Sequence, residues 1–194
     1  MKTLKLLFTL TAVAIVAIAS AVENPKMSVT PITADRAVVS VLNSKPAIFE
    51  MSVKAQNGDI VYYKQSRKAL TSYKKIFDFQ YLENGIYSMI LKINDTELTR
   101  TLEVTPGKIN IGESKLTFDP HFVFDGTVLK FSYLNYEKEN FILNIYNDQD
   151  LIYKTKLGKD FAISSGFDLS KLENGKYKVI LSSLNKEYEY SLVK

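Results

Sequence analysis

The sequence predicts an all-β protein: two tandem, seven-stranded antiparallel β-sandwiches behind an N-terminal signal peptide. Three observations carry that prediction. Apolar and polar residues alternate with a period of two, the signature of strands with one wet face. Turn residues separate these runs at intervals of roughly 10 residues, as in sandwiches and barrels. And the second half of the chain rewrites the first at a fixed offset of 90 residues.

The N-terminus reads as a targeting segment. Lys2 and Lys5 precede an apolar run from Leu6 to Ala19, broken only by Thr9 and Thr11. Ala19-Ser20-Ala21 is a small-x-small cleavage signal, which sets residues 1–21 as a signal peptide and Val22 as the mature start. The run of about 14 residues falls short of the roughly 20 that span a bilayer, so no transmembrane anchor is expected after cleavage. The expected location is therefore outside the cytoplasm: periplasm, outer surface or medium. Without Lys2 and Lys5 the chain keeps 23 basic against 21 acidic residues, a net charge of +2. Arg67-Lys68 and Lys74-Lys75 form no basic stripe, and no nucleic-acid partner is expected. With no cysteine in the chain, stability must come from core burial, and thiolate metal sites and thiol nucleophiles are excluded. The 12 Tyr and 11 Phe suit a pleated, half-buried surface.

The repeat divides the mature chain. Phe77–Val104 aligns with Phe167–Lys194 without a gap, and 11 of the 28 pairs are identical. Upstream, Asp35 to Asn43 parallels Asp125 to Asn135, and Phe49–Val53 parallels Phe141–Ile145. The expected organisation is a first sandwich over 22–104, a linker at 105–108 where Pro106-Gly107 ends a strand, and a second sandwich over 109–194. Strands are expected near residues 29, 39, 51, 61, 77, 89 and 100, then near 116, 129, 143, 152, 162–168, 179 and 190. Tyr87, Met89 and Leu91 point one way, and Tyr177, Val179 and Leu181 do the same in the second copy. Asn57-Gly58 between two such runs is a strong hairpin signal. Ser66 to Lys75 reads as a helical turn or a long crossing loop.

Leu-Glu-Asn-Gly-x-Tyr occurs twice, as Leu82–Tyr87 and Leu172–Tyr177. Gly85 and Gly175 are expected to supply a positive φ after Asn. In immunoglobulin-like sandwiches a Tyr at the start of the sixth strand turns its hydroxyl back to the backbone a few residues upstream. That reading assigns Tyr87 and Tyr177 to tyrosine corners, with Leu82 and Leu172 plugging the sandwich end. The alternative is a two-residue hairpin in which the Tyr only packs. Either role is structural.

The run Asp168-Leu-Ser-Lys-Leu-Glu-Asn-Gly-Lys-Tyr-Lys-Val-Ile-Leu181, followed by Tyr190-Ser-Leu-Val-Lys194, resembles the C-terminal sorting domain of Bacteroidetes type IX secretion cargo. That family has a DLSxLxxGxYxVxV tail and a last strand that ends in Lys. More broadly the chain is similar to fibronectin type III-like modules. The chain lacks the family's opening Pro-Asn-Pro turn, and Asn185-Lys186 replaces its usual hairpin glycine. The resemblance implies a small seven-stranded immunoglobulin-like sandwich with a link to export.

No constellation of residues names a reaction. His121 is the one histidine, and with Asp119 and Asp125 it falls short of the three or four convergent ligands a metal needs. It is also the single candidate base for a Ser/His/Asp arrangement. Asn147, Asp148 and Asp150 lack the later Glu of a calcium loop. No phosphate-binding glycine pattern or nucleophile elbow is present. Asn94-Asp95-Thr96 fits a glycosylation sequon. Tyr62, Tyr63, Tyr133, Tyr136 and Tyr146 offer a candidate aromatic platform, although alternation sends at least half of them inward. The expectation is a non-enzymatic exported protein with no cofactor or metal, acting on a protein partner or cell-surface component. Glycan binding through exposed tyrosines is the alternative.

Overall fold

The computed structural model describes residues 24–148 and 150–194; the expected signal peptide lies outside the described residues. Fifteen strands follow one another, with no helix among the described residues. The first half holds β1 (Lys26–Pro31), β2 (Arg36–Ala47), β3 (Glu50–Ala55), β4 (Ile60–Gln65), β5 (Leu70–Asp78), β6 (Gly85–Ile93), β7 (Thr96–Thr105) and β8 (Lys108–Phe118). The second holds β9 (His121–Phe124), β10 (Val128–Leu134), β11 (Phe141–Asn147), β12 (Asp150–Gly158), β13 (Ala162–Asp168), β14 (Lys176–Ser182) and β15 (Glu187–Val193).

All pairings are antiparallel, and they make four sheets. In the first half the orders are β1-β2-β5 and β4-β3-β6-β7-β8; in the second they are β13-β10-β9 and β12-β11-β14-β15. Apart from β8 the two halves have the same strand order. Period-two alternation explains which side chains meet between the sheets. Val39 and Phe77 of one sheet bury against Met51, Met89 and Leu102 of the other. Leu129 and Phe167 bury against Leu143, Val179 and Leu181 in a second, separate cluster. Each such side chain contributes about 1.5–3 kcal/mol of transfer free energy. With no disulfide available, these two cores hold the β-sandwich together.

Ile90 and Ile180 point to the outer faces, as their parity requires, and are half-buried there. Ile90 lies opposite Ser52 and Thr99, and Ile180 opposite Asn144 and Glu189.

The structure departs from the sequence expectation at three places. Thr105–Lys108 is not a linker. Thr105 pairs with Lys108 across a tight hairpin, and β8 runs back along β7. Gly107 has φ 72°, which suits a turn with Pro at its second position and Gly at its third. The strand expected near residue 116 thus belongs to β8 in the first half, which has eight strands among the described residues. The second half opens with β9, after Asp119-Pro120. Third, Ser66–Lys75 is largely strand: Leu70–Asp78 pairs with β2. Its alternation was masked because Lys75 takes an inward position, with its ammonium 4.5 Å from the Tyr62 ring centre and 5.0 Å from that of Phe77.

Candidate functional site

The repeated motif forms the same set of bonds twice. At the end of β5, the Asp78 carboxylate accepts from the Gln80 N–H at 3.1 Å; at the end of β13, Asp168 accepts from Ser170 at 2.8 Å. These bonds from Ser170, side chain and backbone, hold the Asp168 carboxyl below its ordinary range. The chain then turns. Phe79 N–H donates to the Asp35 carbonyl and Leu169 N–H to that of Thr127, each at 2.8 Å. Tyr87 Oη donates to the Glu83 carbonyl at 2.8 Å, and Tyr177 Oη to the Glu173 carbonyl at 2.7 Å. Both rings are buried, so these bonds satisfy the polar tip of a large apolar side chain. Leu82 and Leu172 pack against the first and second core clusters.

The glycines of the motif behave differently from the expectation. Neither Gly85 nor Gly175 has a positive φ. Gly85 already begins β6, and Gly175 exchanges backbone bonds with Lys194. A Cβ on either would sit about 4 Å from the edge of the following tyrosine ring, an ordinary contact. The chain turns upstream instead, through the carboxylate bonds to Gln80 and Ser170 and the backbone bonds of Leu82 N–H to the Phe79 carbonyl at 2.9 Å and Leu172 N–H to the Leu169 carbonyl at 3.0 Å.

Lys194 adds a contact that alternation did not reveal. Its Nζ donates to the Ser170 carbonyl at 2.7 Å and also to the Leu172 carbonyl. The terminal side chain thereby ties the last strand to the corner loop. The corresponding position of the first half is Val104, which has no such donor.

The remaining sequence candidates do not assemble into a reaction centre. His121 is exposed at the start of β9; Asp119 pairs with Lys92 at 3.1 Å. Asp125 is spent on its own turn, accepting from Val128 N–H at 2.7 Å and Thr127 N–H at 3.1 Å. Those backbone bonds, Val128 foremost, bring its carboxyl down to about 2. Among the described residues no group of three or more His, Cys, Asp or Glu is placed to hold a metal. Asp148 has φ 48° and Asn94 φ 51°, a conformation that Asn and Asp tolerate, which accounts for both residue types as turn formers. Of the five tyrosines, Tyr133 is buried; Tyr62, Tyr136 and Tyr146 are partly covered; Tyr63 is 55% exposed. They form no row. Outside that set, Tyr81 is 86% exposed in the first corner loop. Tyr188 meets the Tyr133 hydroxyl at 3.3 Å, and burial, then that bond, push its phenol well above the ordinary range.

One concavity lies beside β15. Asp95, Asp119, His121, Glu187 and Glu189 are among the residues around a cavity of about 460 Å³, with Tyr190 also in its wall. No helix among the described residues is long and apolar enough to cross a membrane.

No protein-family model matches the chain, and no curated protein matches it. Among solved structures, the chain is similar to a biofilm-associated protein, BSP domain, at 13% identity and a TM-score of 0.28 over 87% of this chain and 29% of that one. It is similar to the central fibronectin-III array of RIM-binding protein at 12% identity and TM-score 0.27, over 91% of this chain and 65% of that one. It is also similar to a two-fibronectin type-III domain segment from chicken tenascin, at 9% identity and TM-score 0.28, over 89% and 99%. The chain thus spans less than a third of the biofilm-associated protein it matches. At such scores the likenesses bear on neither fold nor function, and the β-sandwich rests on the chain's own strand order and buried clusters.

Proposed function

We propose that this is an exported, non-enzymatic protein of two tandem immunoglobulin-like sandwiches, acting as a periplasmic or cell-surface structural or interaction module. In this reading residues 1–21 direct export, Tyr87 and Tyr177 are tyrosine corners, and the DLS…LVK pattern of the second sandwich links it to type IX sorting. One observation supports the reading above others. The two halves share strand order and corner bonds, and they differ in what their sheet edges present to solvent. Shared positions build the fold; the divergent edges are where a partner would be selected.

Photo-activatable cross-linkers placed singly along the outer edges of β4, β12 and β15 test it. On cells that export the chain, at least one edge gives a discrete adduct with a protein; the absence of any adduct from every edge rejects the reading. The sorting link is tested by fusing residues 119–194, the half that begins after β8, to a reporter in a type IX-competent host, where retention in the periplasm rejects it. The second reading is a glycan-binding accessory module, favoured by the exposed rings of Tyr63 and Tyr81. Titration with soluble glycans, with binding lost in Tyr63→Ala or Tyr81→Ala, would select it over the first.

A further inference from the structure

The reading of the chain as an interaction module leaves open which edge binds and what it binds; backbone geometry addresses both. Gly175 and Lys194 exchange N–H···O=C bonds of 3.1 and 2.9 Å, and Ser183 N–H donates to the Lys186 carbonyl at 2.8 Å. Between them the β14–β15 register is unbroken from Lys176↔Val193 to Ser182↔Glu187. Hydrogen-bonded and non-bonded pairs alternate along an antiparallel ladder. Tyr188, Tyr190 and Leu192 therefore spend their backbone groups on β14. The N–H and C=O groups of Glu187, Glu189, Ser191 and Val193 point the other way, where no strand pairs with them among the described residues. The opposite edge of the same sheet is blunted: β12 carries two register breaks and exposes Lys154 and Lys156.

The first half shows what fits such an edge. Glu97 and Thr99, the repeat equivalents of Glu187 and Glu189, face Thr117 and Lys115 of β8, and Glu103 accepts from the Asn110 amide at 2.9 Å. On β15 the same side carries two carboxylates. Glu189 shares Lys178 at 3.3 Å, whereas Glu187 has no ion-pair partner among the described residues. The cavity of about 460 Å³ borders the Glu187–Tyr190 part of this edge.

We infer that the outer edge of β15 docks a strand from another protein: an extended segment pairing with Glu187–Val193 and carrying Lys or Arg at the alternate positions that face Glu187 and Glu189. The ladder supplies the affinity, and the charge pattern selects the sequence.

The probe is an acetylated peptide alternating Lys and Val, with a Glu–Val peptide as control, added to the whole protein and followed by amide exchange in NMR. The amides of Glu187, Glu189, Ser191 and Val193 should exchange freely alone and become protected by the Lys–Val peptide, with those of Tyr188, Tyr190 and Leu192 unchanged. Ser191→Pro removes an outward donor and no bond to β14; Glu187→Lys with Glu189→Lys reverses the charge. Each should weaken the peptide at least tenfold. The inference is overturned by any of three results: no protection at saturating peptide, equal protection by the Glu–Val control, or undiminished binding to both variants. Protection of the same amides by self-association of the chain alone also overturns it, because the occupant is then a second copy. Failure of the peptide while a cross-linked partner persists at β4 or β12 removes the edge assignment and leaves the module reading standing. Failure of both removes both.

Discussion

Arg100 in β7 and Tyr190 in β15 hold the same place in the repeat and solve one problem in two ways. Arg100 donates from Nη1 to the Gly112 carbonyl at 3.1 Å and from Nη2 to the Met27 carbonyl at 3.5 Å, so it straps β8 and β1 across the seam between the sheets. Tyr190 stacks on Phe122 of β9 with ring centres 5.1 Å apart. The cation needs carbonyls to satisfy it, and β8 brings one. The ring pair needs none, and the strand outside it is left unpaired. The opposite seam shows the same divergence. Lys75 lies over Tyr62 and Phe77 in the first half, while Tyr153 meets Phe167 edge-on at 5.7 Å in the second. A sandwich requires only that its seams be filled. The chemistry that fills them decides what each edge shows to the solvent.

Truncating the two cores tests how far the halves are independent, and has the largest expected effect. Leu102→Ala and Leu192→Ala should each cost about 2–5 kcal/mol, and in urea each should move the unfolding of its own half. Equal displacement of every probe by either substitution would show a single cooperative unit. Glycine substitutions sharpen the contrast next. Gly58 has φ 94°, so Gly58→Ala should cost about 1–2 kcal/mol. Gly85→Ala and Gly175→Ala, whose φ is ordinary, should be neutral or stabilise by up to about 1 kcal/mol. The corner hydroxyls should then behave alike: Tyr87→Phe and Tyr177→Phe each lose about 0.5–1.5 kcal/mol. A loss confined to one copy would break the equivalence of the two corners.

The smallest effect is a pH dependence. Asp125 titrates near 2 in the folded chain, below its ordinary 3.8. Its contribution is therefore fully present above about pH 4 and disappears as pH falls through 2. Asp125→Asn should flatten acid destabilisation in that window, and a carboxyl NMR titration reports the value directly.

The strands were legible because their signal is local. Met89 and Leu91 in β6, like Val179 and Leu181 in β14, keep the parity of Tyr87 and Tyr177, and all four are fully buried, while Ile90 and Ile180 between them take the outer faces. Lys75 broke that signal, since a lysine over aromatic rings is an inward residue that reads as an outward one. The glycines of the motif differ for a related reason: Asn-Gly is a turn signal, but the chain has already turned through the Asp carboxylate and Leu82 and Leu172 backbone bonds upstream. The candidate edge was half legible. Glu187–Val193 reads as a strand, but whether it lies bare depends on residues that are not its neighbours in sequence.

β8 is the clearest instance. Pro106-Gly107 announced a stop in the chain, and stops between elements look the same whether the next element continues a sheet or begins a new one. Ile109 and Ile111 alternate, and a register shift near Gly112 then moves the apolar positions to Leu116 and Phe118. By itself the sequence determined the strands, their buried faces and the twofold repeat, because each follows from residues one or two apart and from comparison of one half with the other. Only the tertiary structure decided which sheet β8 joins, that Arg100 and Lys75 turn inward, and that β15 keeps an unpaired edge. Pairing register and partner choice are set by contacts tens of residues apart, and no local pattern encodes them.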